Sequence, residues 1–387
     1  MGVRVRSRQI GDSRRLLRSV ALAAILVGAS GVRALAEDVL ITGGQGKVLC
    51  DECSDTLDAA EMYNTKSGKF HVLKHKMTVP RESHSQTTLG KGGFLIAGGF
   101  DGTGSATATA EIFKKGKFKA IANMSNARAL HSATALDGGK ILICGGEDDT
   151  GTIRDTCDIF SPKSKTFTPT ANVMTIPRED QTATLLDSGM VLIAGGLTTG
   201  FNSTDTAEVY DPTLDTFTPT NNNMSDFRTS HTATLMANGK VLVAGGFDTD
   251  ALDTADVFDP GTNSFLAAPN MNEFREDQSA TLLDSNLVLI CGGEDALGGP
   301  ESSFHNSCEF YDADLNTFTD SKNAMTEHRG SHQAVLLESG RVLLIGGVEE
   351  ADANISAEIY FPGKDSFAPT GSMHVPRSDF GAGAASK

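Results

Sequence analysis

Seven Gly-Gly doublets, each closing an apolar run, punctuate this chain at 43–44, 98–99, 145–146, 195–196, 245–246, 292–293 and 346–347. Their spacing of roughly 50 residues is the mark of a repeat architecture, in which one supersecondary unit recurs and buries its faces against its neighbours. Other features keep the same phase. An acid stands two residues before an aromatic at Glu61/Tyr63, Glu111/Phe113, Asp158/Phe160, Glu208/Tyr210, Asp256/Phe258, Glu309/Tyr311 and Glu358/Tyr360. A further aromatic follows at Phe70, Phe118, Phe167, Phe217, Phe265, Phe318 and Phe367. Met-x-x-x-Arg closes the unit at Met77/Arg81, Met124/Arg128, Met174/Arg178, Met224/Arg228, Met271/Arg275, Met325/Arg329 and Met373/Arg377.

Each unit reads as four short strands. After the Arg come small and β-branched residues such as HSATAL at 131–136, then a tight turn such as DGGK. A fully apolar strand, ILIC or VLVA, runs into the Gly-Gly. A long loop leads to the acid-x-aromatic strand, and a short turn such as DPTLD leads to the fourth. Strand-sized runs separated by turn residues signal antiparallel sheet. A strand apolar on both faces needs cover on both, which stacked blades supply. The segment 38–44, DVLITGG, reads as a second strand and 378–386, SDFGAGAAS, as a first strand. Pairing the two completes a blade from both ends of the chain and leaves no open edge.

These marks resemble the kelch-repeat β-propellers of the galactose oxidase/kelch superfamily, over essentially all of residues 37–387. The doublets, GGFDG at 98–102, AEVYDP at 207–212 and the Met-x-x-x-Arg phase carry the resemblance. The expected fold is all-β, seven four-stranded antiparallel blades in a closed ring. The family's usual fourth-strand Trp is absent, and Phe stands there in every unit. A large aromatic still fills the slot.

Residues 1–36 read as a separate segment. A basic run through Arg18, an apolar VALAAILVGA at 20–29 and Ala34-Leu35-Ala36 give the order of a secretory signal peptide, cut near Ala36. Ser13-Arg14-Arg15-Leu16-Leu17 is a weak match to a twin-arginine export motif. The apolar run is too short to span a bilayer. The expectation is a monomer exported to the periplasm or the exterior. Cleavage takes away seven of the 33 Lys and Arg and one of the 49 Asp and Glu, deepening the net charge from −16 to −22. So acidic a surface repels phosphate backbones and argues against nucleic acid as partner.

Export permits disulfides. Cys144 ends a second strand and Cys157 begins the third; Cys291 and Cys308 take the same slots in the sixth unit. Elsewhere no Cys occupies either slot, which predicts two cross-strand disulfides, each fastening the base of a long loop. Cys50 and Cys53 form a CxxC inside the first long loop, and a local disulfide is the expectation there.

The long loops and the entry to each first strand share one face. The loops hold 19 acidic residues against Lys47 and Arg154 as cations. FDTDALDT at 247–254 and GGEDDTGT at 145–152 are oxygen-rich enough to be considered for Ca²⁺, although neither has EF-hand spacing. No other cofactor is expected. The seven Arg have two readings. They pair with the seven third-strand acids, or some of them line the central pocket and grip an anion, as kelch relatives grip acidic ligands. Glu179, Asp180, Glu276 and Asp277 sit beside that ring. His84, His131, His231 and His332 share a slot that Gln181, Gln278 and Phe380 fill in other units, so the slot reads as structural.

The resemblance raises a copper radical oxidase, whose chemistry takes two Tyr, two His and a Cys joined to a Tyr. All four tyrosines here stand in the third-strand aromatic slot, so residue supply argues against it. Aspartate-box sialidases need a Trp, which this chain lacks. The expectation is therefore a non-catalytic binding propeller that engages a protein or a glycan through its long-loop face. The alternative is a metal-independent carbohydrate-active enzyme, akin to the sugar-acid isomerases of the family. Its site would be the Arg-lined axial mouth.

Overall fold

The computed structural model describes residues 38–47, 54–295, 304–349 and 352–385. The signal segment 1–36 and the Cys50/Cys53 pair lie outside them. The described chain forms seven four-stranded antiparallel sheets. Blade 3 serves as the pattern, with strands Ser132–Ala135, Ile141–Cys144, Cys157–Ser161 and Thr166–Pro169 in spatial order. Blades 2 and 4–7 repeat it. Blade 1 is built from both ends of the chain, in the order Gly381–Ala384, Asp38–Thr42, Ala60–Asn64 and Lys69–Val72. Its closing register sets Val39 against Ala384 and Thr42 against Gly381. The strand ends sit inside the bounds read from sequence because the flanking Gly43-Gly44 and Ser378-Asp379 leave the ladder. Three of the long loops add small hairpins of their own, such as Leu197–Thr198 with Asn202–Ser203.

Second strands are buried along their whole length in blades 2, 3, 4, 5 and 7. Each of the seven blade-to-blade interfaces holds its own apolar cluster. Between blades 3 and 4, for example, Leu142, Cys144 and Cys157 meet Val191, Ile193 and Tyr210. Between blades 7 and 1 the cluster joins Leu343 and Ile345 to Val39 and Ile41. The missing tryptophan is answered within the blade. Third- and fourth-strand aromatics face each other in register in all seven blades, with ring centroids 4.7–5.1 Å apart. Such pairs contribute about 0.5–1.5 kcal/mol each beyond their area.

The doublets are explained by crowding as well as by backbone angle. Gly195 has φ +63°, and a Cβ there would lie 2.6 Å from both the Arg228 carbonyl and the His231 ring. At Gly196 it would meet the Glu179 carbonyl at 2.4 Å. Two blades approach through that point, and only hydrogen leaves room.

Candidate functional site

The arginines were the first candidates, and all seven lie inside the blades at 0–1 % exposure. Six repeat one set of bonds, meeting the acid through Nε or Nη2, and Arg377 lacks only the hydroxyl because Ala59 stands in that slot. Arg81 Nη1 donates to the carbonyls of Gly98 (2.6 Å) and Thr109 (3.0 Å), Nη2 to Thr109 Oγ1 (2.8 Å), and Nε reaches Glu111 (3.4 Å). The other pairs are Arg128–Asp158, Arg178–Glu208, Arg228–Asp256, Arg275–Glu309, Arg329–Glu358 and Arg377–Glu61, at 2.9–3.4 Å. The acids also accept from the chain entering the blade, as from the Thr175 amide to Glu208 (2.8 Å). Burial draws the guanidinium pKa of Arg81, Arg178 and Arg228 below its ordinary value, and the partner acid draws it back.

The backbone of the same residue ties the neighbouring blade. The Gly44 amide of blade 1 donates to the Arg81 carbonyl (2.7 Å), while the Arg81 side chain grips Gly98 of blade 2. This relay repeats at every interface and closes from Gly347 through Arg377 to Gly43. The arginine ring is a hoop linking blades, and none of its seven members is presented to an anion.

The histidine slot is likewise internal. The Nε2 atoms of His84, His131, His231 and His332 meet hydroxyls of the preceding blade, on Thr42, Ser85, Thr182 and Ser279, at 2.8–2.9 Å. Gln181 reaches Ser132 in the same way (3.2 Å). Burial, with the adjacent arginine charge, pushes all four histidines down to about 3, so they are neutral at any ordinary pH.

Inside the hoop, two residues beyond each Arg, a narrower ring lines the axial mouth: Ser83, Leu130, Asp180, Ser230, Asp277, Ser331 and Asp379, all at φ +51° to +59°. Their backbones join around the axis, as in Ser83 N to Asp379 O (2.9 Å), Asp180 N to Leu130 O (3.0 Å) and Ser331 N to Asp277 O (3.0 Å). Left-handed backbone at a residue other than glycine costs about 1–3 kcal/mol. These bonds from blade to blade help to hold it in place.

The four candidate acids all stand at this mouth, but in two different settings. Glu179 forms a bridge opposite Leu197. Glu276 forms the corresponding bridge opposite Glu294, each amide donating to the other's carbonyl at 3.0 Å. Residues directly opposite across an antiparallel bridge carry their side chains on the same side, so two carboxyls face each other. Burial, then Glu294 and Asp250, pushes Glu276 up to about 8; burial, then Asp295, pushes Glu294 up to about 7. Asp277, 1 % exposed, accepts from Ser331 Oγ (3.0 Å) through Oδ2. Burial and then Glu276, Glu294 and Asp379 push it well above the carboxylate range. Sequence reading missed Glu294. The signal was present: the residue after the doublet opposes the residue after the arginine, and only the sixth unit has Glu in both places.

The predicted disulfides Cys144–Cys157 and Cys291–Cys308 are formed, with Cα–Cα distances of 4.2 Å. They join residues directly opposite in the ladder. In the two oxygen-rich loops, Asp148 folds back on its own loop while Asp248 accepts from Ser203 of the neighbouring blade. The Asp148 carboxylate takes hydrogen bonds from Thr150, Thr152 and Arg154, which outweigh its burial and pull it down to about 2. Among the described residues no set of three acids, histidines or cysteines is placed to hold a metal. The four tyrosines are buried, with hydroxyls bonded to Thr370, Asp215, Asn316 and Asp365.

The family model described as the Kelch motif matches residues 128–174 and 228–272, stretches that run from the arginine of one unit to the methionine of the next or the residue after it. No curated protein matches the chain in sequence. Among solved structures, that of YjhT aligns with TM-score 0.60 at 11 % identity, covering 76 % of this chain and 98 % of that one. A fungal alcohol oxidase described as having catalytic diversity among the AA5 family, in complex with copper, aligns with TM-score 0.65 at 17 % identity, covering 82 % and 70 %. At these identities the likeness is one of fold. The arginine hoop, the doublets and the blade closed from both termini make this chain a seven-bladed β-propeller that carries the Kelch motif in two of its stretches.

Proposed function

We propose that this protein is an exported, non-catalytic binding propeller that engages a protein or glycan partner through its long-loop face. The observation that carries the reading is the fate of the repeated polar residues. Seven arginines and the histidine or glutamine of six blades are consumed by links between blades. What differs from blade to blade lies on the loop face: the mouth acids, and the half-exposed Phe201, Phe227 and Phe274. Variable loops on a rigid scaffold are where binding concentrates. The disulfides fit export to an oxidising compartment. No helix among the described residues is long and apolar enough to cross a membrane.

The test is a peptide and glycan array probed with the purified chain. Ligands should be lost by Phe227→Ser/Phe274→Ser and kept by Leu214→Ser/Leu315→Ser, which alters exposed residues in turns of the opposite face. The reverse pattern, or no ligand, would overturn the reading. The Glu276–Glu294 pair favours one second reading, an enzyme acting on a sugar acid with a carboxyl poised near neutrality. Its assay is anomer or epimer interconversion of uronic and sialic acids followed by proton NMR, abolished by Glu276→Gln.

A further inference from the structure

We propose that Glu276, Asp277 and Glu294 form a socket for the cationic side chain of a basic, partly apolar polypeptide segment. The proposal rests on the binding reading above and names the partner's chemistry.

The first ground is the carboxyl pair itself. The corresponding bridges elsewhere pair Gln45 with Ser378, Glu82 with Phe100, Ala129 with Glu147, Glu179 with Leu197, Thr229 with Phe247 and Gly330 with Val348. Only blade 6 sets two acids opposite each other, a pair that repels once both are ionised. The second ground is independent of the pair. Asp277 is 1 % exposed, and its Oδ1 has no hydrogen-bond partner among the described residues. Glu276, Glu294 and Asp379 are the charges that act on it. A buried carboxyl oxygen left without a partner is costly. A donor arriving with a ligand removes that cost.

Among the described residues, the cations nearest the cluster along the chain are engaged elsewhere. Arg275 is turned into its blade, held by Glu309 (2.9 Å) and the Gly292 carbonyl (2.7 Å). His305 lies against the Phe274 carbonyl, Glu273 and Asp295, and burial, then Arg275, keeps its pKa below the ordinary value. Among the described residues these carboxyls form no set placed to hold a metal ion. An ammonium or guanidinium, with several N–H donors spread over a larger group, suits separated carboxyls better. Exposed aromatics stand on the same loop face. Phe274 and Phe227, 53 % and 51 % exposed, hold equivalent slots before Arg275 and Arg228 in adjacent blades. Exposed rings on one face with carboxylates suit the aliphatic stem and charge of Lys or Arg together with an apolar neighbour.

The experiment measures anisotropy of a fluorescent dodecapeptide of Arg, Leu and Gly, and of its twin with citrulline for Arg, on the full chain. The arginine peptide should bind at least tenfold more tightly than the citrulline one. Glu276→Gln/Glu294→Gln should lose at least tenfold for the arginine peptide, and Asp149→Asn/Asp155→Asn, the same charge change elsewhere on that face, less than threefold. Equal losses in the two double variants would reduce the effect to net charge and overturn the socket. So would no preference over citrulline, or no binding at all. A ligand that is lost by Phe227→Ser/Phe274→Ser but indifferent to Glu276→Gln/Glu294→Gln would leave the binding reading standing and sink this inference alone. The glutamine pair relieves repulsion, so its fold should be intact, which its melting curve checks.

Discussion

At the scale of the residue, the protein combines one polar device repeated seven times with one carboxyl cluster found in a single blade. The repeated device is an arginine whose carbonyl serves one blade and whose guanidinium serves the next. Removing one member of a buried ion pair costs about 3–5 kcal/mol because the other charge is stranded. Arg228→Met is therefore expected to lower stability by about that amount in urea unfolding. Arg228→Lys should not rescue it, since an ammonium cannot span the Gly245 carbonyl, Thr254 and Asp256 together. Gly195→Ala should cost about 1–3 kcal/mol from overpacking alone, with a further penalty for its left-handed backbone.

The carboxyl cluster makes its own prediction. Glu276 and Glu294, raised to about 8 and 7, hold protons in the folded state that they release on unfolding near an ordinary pKa of about 4.3. Their contribution is present below that value and is lost as pH rises through 7 to 8. Asp277, pressed by the same neighbours, acts in the same direction. The buried histidines, depressed to about 3, work in the opposite sense but only below about pH 6.5. The melting temperature should thus fall between pH 6.5 and 9, and Glu276→Gln/Glu294→Gln should flatten that fall. A slope unchanged in the variant would count against the carboxyl assignment.

At the scale of the element, the blade is a four-strand unit whose second strand has no solvent face and whose outer strands meet through an aromatic pair. The disulfides add a clamp at the base of two loops, closing segments with sequence separations of 13 and 17. The same slots hold Ala194/Ala207 in blade 4, where the ladder register is identical. Cys144→Ala/Cys157→Ala is therefore expected to fold and to lose up to about 3 kcal/mol, the chain-entropy value for a loop of this size. Denaturant midpoints of the double variant would measure it. Alkylation without reductant, read by intact mass, should leave Cys144, Cys157, Cys291 and Cys308 unmodified.

At the scale of the whole molecule, stability depends on closure. Blade 1 takes its innermost strand from Gly381–Ala384 and the other three from Asp38–Val72. Gly381 is needed there because a Cβ would press on Gln86 at 2.7 Å and Thr42 at 2.9 Å. A chain ending at residue 377 would bare the inner edge of Asp38–Thr42 and an interface of blade 7, a template for intermolecular pairing. It should elute as soluble aggregate on size exclusion, and a monomer with an unchanged melt would refute the closure argument.

The repeat phase determined the blade count, the strand order and the shared closing blade, because hydrophobic period and turn chemistry act locally and recur in every unit. It determined the two disulfides for a related reason: paired slots in one ladder are fixed by register. It left the arginines with two readings, since a charge at an axial position is the same letter whether it faces inward or outward. Packing decided that, by drawing all seven guanidiniums among carbonyls and carboxylates where solvent does not reach. Tertiary structure showed what the repeat phase only hinted at, that Glu294 comes to Glu276 and Asp277. Residues 18 apart become opposite neighbours only when the lead-in of a blade pairs with the segment following its own glycine doublet. Burial then sets the protonation of that pair, a property that no spacing along the chain encodes.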